Sequence, residues 1–283
     1  MKVWFITGAS RGFGALMTKE ALASGDAVIA TARNPKTIIE QFGDHPNLLA
    51  VALDVTNETQ AKKAAAAGIA RFSRIDVLAN NAGYGLLGAV EEASAEEIER
   101  IYATNVFGLL KVTRAVLPYM RRQRSGHILN FSSIGGYFGY PGWGVYGSTK
   151  FAVEGLSESI AAELAPFGIK VTIVEPGFFR TDFLADSSLA ISPASIADYE
   201  GTPAGNMRNF AVDANHAQPG NPAKLAAGIM TMVNSAKPPL RMPFGSDTVT
   251  MIAAQHASIE RELAAWRELA VSTDFANQAT AGA

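Results

Sequence analysis

The sequence predicts an α/β fold with one doubly wound parallel sheet, and three observations support that prediction. Short apolar runs alternate with longer amphipathic runs, which is the pattern of strands and helices in βαβ units. The short runs are apolar throughout, as expected of strands that are buried on both faces. A glycine-rich turn follows the first of them directly. We therefore expect a parallel sheet flanked by helices on both faces.

Six apolar runs are predicted to be the strands, and four amphipathic patterns are predicted to be the helices between them. The predicted strands cover residues 3–6, 27–31, 48–53, 77–79, 127–131 and 171–174. The predicted helices cover residues 12–24, 57–72, 95–120 and 145–164. Right-handed crossovers bring the strand-to-helix turns to one edge of the sheet, where such folds bind their ligands. Functional residues are expected at that edge.

The regular alternation stops after the sixth strand. Residues 182–218 are rich in Ala, Ser, Pro, Gly and Asn and show no clear period. An irregular stretch of this length usually has a function, so we predict that it forms a substrate lid. The pattern then resumes with a helix that starts at Pro222, a short segment at 240–243, and an amphipathic helix at about 248–269.

Length and composition limit the classes of protein that the chain can form. Its 283 residues fit one catalytic domain over residues 1–269, followed by a flexible tail over 270–283. A formal net charge of −2 argues against nucleic acid as a partner, and no stretch is long enough to span a membrane. The chain has no cysteine, which fits a cytoplasmic location. Its four histidines lack the spacing of metal ligands, so we predict no metal site.

The glycine-rich turn after the first strand predicts a site for a pyrophosphate group. Its spacing is Gly-x-x-x-Gly-x-Gly, and it leads into a helix whose free N–H groups and dipole favour an anion. The alternative is a tight strand-to-helix turn that binds nothing. The binding hypothesis assigns the cofactor to Gly8, Ser10, Arg11, Gly12, Phe13 and Gly14.

The residues after the second strand indicate which nicotinamide cofactor is bound. A site selective for NAD places Asp or Glu there to bind the ribose 2′-hydroxyl, whereas this chain has Thr31-Ala32-Arg33. Arg11 and Arg33 together could bind a 2′-phosphate through paired hydrogen bonds. We therefore favour NADP(H) over NAD(H). The alternative is that both arginines are solvated surface residues.

Tyr146 and Lys150 are the candidate catalytic pair. Residues four apart share one face of a helix, and the lead-in Gly142-Trp143-Gly144 suggests that Tyr146 lies in the first helical turn. A nearby ammonium and the helix dipole would both stabilise the phenolate, so we expect the pKa of Tyr146 to be lowered. Such a pair by itself is usually a surface contact, and its neighbours decide its meaning.

Five motifs in chain order resemble those of the short-chain dehydrogenase/reductase family. They are the turn at residues 7–14, the segment Asn80-Asn81-Ala82-Gly83, Asn105 on the next helix, Ser133 thirteen residues before Tyr146, and Pro176-Gly177 followed by Thr181. The resemblance extends to about Pro243. It implies a one-domain Rossmann-type enzyme, and the segment Ala30-Thr31-Ala32-Arg33 is similar to that of hydroxysteroid-dehydrogenase-like carbonyl reductases.

The resemblance also implies a role for each residue of the site. Tyr146 would donate a proton to a carbonyl oxygen that Ser133 also binds. Lys150 would bind the nicotinamide ribose, and Asn105 would hold a water molecule that relays protons. Further cofactor contacts would come from Asp54 and Val55, from the backbone of Asn81, Ala82 and Gly83, and from Pro176, Gly177 and Thr181. The alternative is that Asp54, Asn105 and Ser133 serve as capping, turn or strand-end residues.

An aromatic-rich surround suggests the substrate. The candidate pocket residues are Tyr84, Tyr140, Trp143, Phe178, Phe179 and Phe183. They favour an apolar, rather bulky ketone or secondary alcohol, although core packing would also explain some of them. The rival hypotheses are an epimerase or dehydratase that retains its cofactor, and a non-catalytic NADPH-binding regulator. The family resemblance implies a homodimer or homotetramer that pairs through residues 106–120 and 145–164.

Overall fold

A computed structural model describes residues 1–275 and contains one large parallel sheet and one small one. The strands are β1 (Val3–Thr7), β2 (Ala27–Ala32), β3 (Leu48–Ala52), β4 (Val77–Asn80), β5 (Gly85–Leu87), β6 (Gly126–Phe131), β7 (Ile169–Pro176), β8 (Leu189–Ile191) and β9 (Arg241–Phe244). The large sheet has the order β3-β2-β1-β4-β6-β7-β9, and every pairing in it is parallel. The chain runs outward from β1 in both directions, so the prediction of a doubly wound sheet is confirmed.

Helices cover both faces of this sheet. They are α1 (Gly12–Ala23), α2 (Lys36–Phe42), α3 (Glu58–Phe72), α4 (Ala95–Tyr102), α5 (Leu109–Gln123), α6 (Gly144–Leu164), α7 (Pro203–Asp213), α8 (Pro222–Val233) and α9 (Ser246–Val271). The side chains of β1 show the two layers, because Trp4 and Ile6 pack toward α1 and α8, whereas Val3 and Phe5 pack toward α3 and α5. Because β1 is buried on both faces, its sequence is apolar without interruption.

The large sheet has a seventh strand besides the six that were predicted, and the small sheet of β5 and β8 was not predicted. The segment at residues 240–243 was singled out but not assigned to the sheet, and it forms most of β9, which pairs with β7 at the sheet edge. Arg241 and Pro243 interrupt its apolar character, and an edge strand tolerates such residues because one of its sides makes no ladder. That composition explains why the pattern did not indicate a strand.

The prediction of one continuous helix over residues 95–120 is wrong for the middle of that segment. The structure has α4, then one turn of π-helix over Ala103–Gly108, then α5. The apolar period continues across the junction, so the sequence pattern does not reveal the extra residue in that turn. The short helix α2 was also not predicted.

The stretch predicted to be an irregular lid contains regular structure. Within residues 182–218, β8 pairs with β5 and α7 covers the cleft. Arg208 in α7 attaches the lid to the body, because its Nη2 donates to Glu92 at 2.8 Å, and its Nη1 donates within the lid to the Ser192 carbonyl at 2.9 Å. Glycine and proline near α7 had hidden its helical period.

The C-terminal part of the chain forms the long helix α9. Most of the predicted flexible tail, residues 276–283, lies outside the described residues. From about Ile259 onward the helix is exposed, and Leu263 and Trp266 are exposed large apolar residues. Among residues 1–275, no helix combines the length and apolar character that crossing a bilayer requires.

Candidate active site

A cleft of about 1150 Å³ opens at the carboxyl edge of the large sheet. Loops after β1, β2, β3, β4, β6 and β7 line it, together with the start of α6 and parts of the lid. All the strands of a parallel sheet present their carboxyl ends to the same edge, so residues far apart in the sequence meet here. This is the edge at which functional residues were predicted.

The turn between β1 and α1 has the geometry of an anion site. Gly8 and Gly12 have φ angles of 66° and 53°, which glycine adopts readily. A Cβ atom on Gly14 would lie 2.2 Å from the Gly8 carbonyl oxygen, so only glycine allows the helix to pack this closely. The turn and the first residues of α1 line the cleft, and the N-terminus of a helix, with its free N–H groups, favours a phosphate group.

The loop after β4 braces this turn. The Thr7 hydroxyl donates to the Ala79 carbonyl at 3.2 Å and accepts the backbone N–H groups of Asn81 and Ala82 at 2.9 and 3.0 Å. The Asn81 side chain in turn donates to the carbonyls of Thr7 and Gly8 at 2.9 and 3.3 Å. These bonds hold the backbone of two loops in contact along one wall of the cleft.

The ends of β2 and β3 form the wall beside the turn. Arg33 is exposed and lines the cleft directly after β2, so its guanidinium faces solvent where an acid would select NAD. Asp54 lies after β3, where its Oδ1 accepts from the backbone and hydroxyl of Thr56 at 2.9 and 2.7 Å. Asp54 is thus both a turn residue and part of the cleft wall.

Arg11 contacts the lid as well as the cleft. Its Nη2 donates to the carbonyl of Ser187, a lid residue. Both arginines of the hypothesis are exposed, but Arg11 also connects the glycine-rich turn to the lid.

Tyr146 and Lys150 lie in the first two turns of α6, and both side chains are buried. Lys150 Nζ donates to the Phe131 carbonyl at 2.8 Å and lies 5.6 Å from the centre of the Tyr146 ring. Ser133, two residues after β6, lies beside Tyr146, and its Oγ accepts the Gly135 backbone N–H at 3.1 Å. Three of the four predicted catalytic side chains therefore meet at one point of the cleft.

The expected lowering of the Tyr146 pKa is wrong for this structure. Burial raises the pKa of Tyr146 to about 12, and the neighbouring Ser133 hydroxyl offsets only part of that rise. Burial also lowers the pKa of Lys150 to about 8, because the ammonium loses hydration as well. Tyr146 is consequently protonated at neutral pH, which is the state that donates a proton.

Asn105 lies behind the cleft wall in the π-helical turn. Its Oδ1 accepts the Tyr84 backbone N–H at 3.2 Å, and its Nδ2 donates to the Tyr84 carbonyl at 3.0 Å and to Thr149 Oγ1 at 3.2 Å. The wider turn directs this side chain toward α6, next to the turn that carries Lys150. π-helical turns are frequent at functional sites.

The loop after β7 closes the far end of the cleft. The Gly177 N–H donates to the Phe244 carbonyl at 2.9 Å, and a Cβ atom on Gly177 would lie 2.3 Å from the carboxylate of Asp247. Thr181 begins a short helical turn, where its Oγ1 accepts the Phe183 N–H at 3.3 Å. Both residues line the cleft.

Aromatic rings cover the cleft beside Tyr146. Trp143 and Phe183 each have ring centres 5.6 Å from that of Tyr146. Phe178 packs edge to face against both Tyr140 and Phe210, at 6.4 and 6.1 Å. The polar reaction centre is thus enclosed by apolar surface.

Comparisons with known proteins agree with this geometry. A family model described as short chain dehydrogenase matches residues 2–191. The chain belongs to the short-chain dehydrogenase family. It is an oxidoreductase of that family. A 3-ketodihydrosphingosine reductase of Bacteroides thetaiotaomicron is 39% identical over 245 residues, which cover 86% of this chain and 88% of the relative.

Two solved structures of short-chain dehydrogenases resemble the chain along most of its length. One, from Streptomyces avermitilis, is 40% identical with a TM-score of 0.87 and covers 97% of this chain and 100% of its own. A serine dehydrogenase in a closed form complexed with NADP+ is 28% identical with a TM-score of 0.73, over 86% of this chain and 94% of its own. The Rossmann-type fold is therefore that of the short-chain dehydrogenases.

Most of the predicted site residues of this short-chain dehydrogenase line the cleft at the carboxyl edge of the large sheet. Gly14 and Asn105 do not, because Gly14 packs against the back of the turn and Asn105 supports the Tyr84 backbone. Phe13 and Phe179 line the cleft but also pack on each other in the core, with ring centres 5.6 Å apart. The remaining predicted residues that line it are Gly8, Ser10, Arg11, Gly12, Arg33, Asp54, Val55, Asn81, Ala82, Gly83, Tyr84, Ser133, Tyr140, Trp143, Tyr146, Lys150, Pro176, Gly177, Phe178, Thr181 and Phe183.

Other cleft residues had no sequence signal. Arg100 and Thr104 enter from the region around the π-helical turn, and Met207 and Met251 enter from α7 and α9. Their positions depend on how these helices pack, which no local motif reports. Among residues 1–275, no group of three or more His, Asp or Glu side chains is arranged to hold a metal ion.

Proposed function

We propose that the chain is a carbonyl reductase, or secondary-alcohol dehydrogenase, that uses NADP(H) and acts on an apolar, rather bulky ketone. The observation that carries this proposal is the buried, protonated Tyr146 hydroxyl beside Ser133, in the same cleft as the glycine-rich turn. A phenol that retains its proton at neutral pH is suited to protonate a carbonyl oxygen as the carbon is reduced.

The residues at the reaction centre divide the work. Ser133 and Tyr146 both bind the carbonyl oxygen, and their hydrogen bonds stabilise the charge that develops on it. Tyr146 then transfers its proton to that oxygen. Lys150 holds the ribose of the nicotinamide and favours departure of the proton, while Asn105 fixes the Tyr84 backbone and the adjacent part of α6. The bound nicotinamide supplies or accepts the hydride.

The residues of the cleft fit a dinucleotide. Gly8 and Gly12 line the cleft at positive φ, and Gly14 lets α1 pack closely behind the turn, so the backbone of the turn is open to a pyrophosphate. Asp54 and Val55 would lie along the adenosine half, as would the backbone from Asn81 to Gly83. Pro176, Gly177 and Thr181 would flank the nicotinamide.

Preference for NADP(H) rests on Arg33. Its exposed guanidinium lies directly after β2, and this position offers no carboxylate to bind a free 2′-hydroxyl. Arg11 would contribute less, because its guanidinium already contacts Ser187 in the lid.

The aromatic cover favours an apolar substrate. Tyr84, Tyr140, Trp143, Phe178 and Phe183 would surround the ketone, with Phe179 behind them. A bulky apolar group gains from leaving water on such a surface. A relative named as the reductase of a 3-keto compound agrees with ketone reduction.

We also propose that the enzyme forms a homodimer or homotetramer through α5 and α6. Phe107 and Phe151, beside and within these helices, are exposed by 51% and 46%. Burying them against a second copy would remove apolar surface from water. Light scattering checks this, since a monomeric mass would contradict it.

Cofactor oxidation tests the proposed function. NADPH and NADH absorbance are followed with aliphatic, aryl and steroidal ketones, with Tyr146→Phe as the background. We expect NADPH to be consumed with at least one bulky apolar ketone, far above that background. No consumption with any carbonyl would remove the reductase assignment, and a preference for NADH would remove the role of Arg33.

A further inference from the structure

Behind the reaction centre, two buried carboxylates from different elements lie against one arginine. Glu154 is one helical turn beyond Lys150 in α6, and Glu175 lies in β7. Glu154 is 7% exposed and Glu175 is 0% exposed. Arg241 in β9 brings its Nε to 3.5 Å from Glu154 and 3.7 Å from Glu175.

These carboxylates have fewer partners than buried charges need. Among the described residues, the oxygens of Glu154 and Glu175 make no hydrogen bond that meets normal geometry. Arg241 also pairs with Glu158, at the surface, so one cation faces three acids. Two buried carboxylates that lie against the same guanidinium cannot both ionise at low cost.

The pair is connected to the reaction centre through two short routes. Glu154 and Lys150 are four residues apart on the buried face of α6, and the negative charge of Glu154 raises the pKa of Lys150 against the effect of burial. Burial raises the pKa of Glu154, and the nearby hydroxyl of Ser132, the neighbour of Ser133, lowers it in part. A Cβ atom on Gly136 would lie 3.1 Å from Glu154 Oε1, so glycine leaves space for this carboxylate.

We propose that Glu154 and Glu175 hold one proton between them beside Arg241, and that ionised Glu154 is the counter-ion that keeps Lys150 an ammonium. Glu154 is thus a positioning residue that acts through Lys150, and this part rests on the proposed function. Glu175 carries the proton, because the most deeply buried carboxyl is the costliest to ionise. Burial and the charge of Glu154 raise its pKa to about 8, in agreement.

The charged and titratable groups around the pair come from four elements. They are Lys150 and Glu158 on α6, Tyr137 in the loop after β6, Arg241 on β9, and His256 on α9, whose ring packs on Tyr137 at 5.6 Å. Burial raises the pKa of Glu154, and so does the charge of Glu158, whereas Arg241 and Lys150 lower it. Among the neighbours of the pair, Glu158 is exposed enough to serve as a control.

The activity test compares E154Q, E175Q and E158Q by the pH dependence of kcat/KM for ketone reduction. Removing the counter-ion lowers the pKa of Lys150, so E154Q should move the alkaline limb to lower pH by about one unit. Glutamine at position 175 resembles a protonated glutamate, so the alkaline limb of the E175Q profile should lie at the same pH as in the wild type. The E158Q profile should also be unchanged. If E154Q does not fold, S132A should shift the limb in the same direction by less. An unshifted limb in E154Q, or in S132A as its substitute, would overturn the counter-ion role.

The stability test needs no activity and so separates this inference from the proposed function. A carboxyl whose pKa is raised on folding stabilises the protein at low pH, and this contribution is lost as pH rises through the folded value. The melting temperature of the wild type should therefore fall between about pH 5 and pH 9 by more than that of E175Q. The E158Q protein should follow the wild type. Equal pH dependence in wild type and E175Q would overturn the shared proton, whatever the enzyme reduces.

Discussion

Thr7 and Asn81 exchange hydrogen bonds, because the Thr7 hydroxyl accepts the Asn81 backbone N–H at 2.9 Å while Asn81 Nδ2 donates to the Thr7 carbonyl at 2.9 Å. The exchange joins the glycine-rich turn to the loop after β4. We expect Asn81→Ala to weaken NADPH binding about 10-fold, since losing one or two such bonds costs about 1 to 2 kcal/mol. Fluorescence titration with NADPH measures this.

Asn57→Ala is the matched control for that substitution. Asn57 caps α3 by accepting the Gln60 N–H at 3.0 Å, away from the turn. Its loss should cost about 1 kcal/mol of stability and leave NADPH affinity unchanged. If Asn57→Ala weakens binding as much as Asn81→Ala does, the bracing role of Asn81 is wrong.

Arg33→Ala should change the cofactor preference. A charge-assisted hydrogen bond to a 2′-phosphate contributes about 1.5 to 3 kcal/mol, so KM for NADPH should rise by about 10- to 100-fold while KM for NADH stays constant. Arg71→Ala, at the exposed end of α3, serves as the control. Steady-state kinetics with both cofactors decide the point, and an equal loss with NADPH and NADH would show that Arg33 does not recognise the phosphate.

Arg208→Ala should loosen the lid. Arg208 donates to Glu92, and this ion pair is the largest cause that lowers the pKa of Glu92 to about 2. Its neighbours Met207 and Phe210 line the cleft. We expect KM for the ketone to rise about 10-fold, the equivalent of one lost ion pair, with NADPH affinity unchanged.

Arg267→Ala, on the exposed part of α9, controls for loss of a positive charge. Separate titrations with NADPH and kinetics with the ketone distinguish the two effects. A parallel loss of both affinities in Arg208→Ala would mean that the substitution disturbs the whole cleft rather than the lid.

His127 should make the protein less stable in mild acid. Thr172 donates its hydroxyl proton to the Pro239 carbonyl at 2.6 Å, so His127 Nε2 must be the donor in the 2.9 Å bond to Thr172. Burial lowers the pKa of His127 to about 4 from 6.5. Neutral His127 therefore makes its full contribution to the free energy of unfolding above pH 6.5. This contribution, about 3 kcal/mol, is lost as the pH falls from 6.5 to about 4.

Urea unfolding at several pH values checks this. His127→Gln removes the titrating group and should flatten the curve in that window, whereas His45→Gln should not. If the free energy of unfolding of His127→Gln falls with pH as steeply as that of the wild type, the acid sensitivity comes from other groups.

Much of the site could be predicted because its chemistry depends on fixed local spacing. Ser133, Tyr146 and Lys150 follow from short motifs at a strand end and a helix start, and the structure brings them together. The glycines of the turn are readable for the same reason, since a positive φ or a close backbone approach requires that residue type.

Properties that depend on tertiary packing could not be predicted in this way. The spacing of Tyr146 and Lys150 suggested a lowered tyrosine pKa, whereas burial by distant elements raises it. The cluster of Glu154, Glu175 and Arg241 draws on three elements, and no local pattern connects them. The strand β9 and the helix α7 were missed because their compositions resemble loops.

The most direct test of the account is kcat for ketone reduction in Tyr146→Phe, compared with Tyr140→Phe. Both tyrosines line the cleft and burial raises the pKa of each to about 12, but Tyr140 donates to Met251 Sδ, whereas Tyr146 lies beside Ser133. We predict that Tyr146→Phe lowers kcat by about 10²- to 10⁴-fold and that Tyr140→Phe retains wild-type turnover within about 2-fold. Equal kcat in the wild type and Tyr146→Phe would contradict the assignment of Tyr146 as the proton donor.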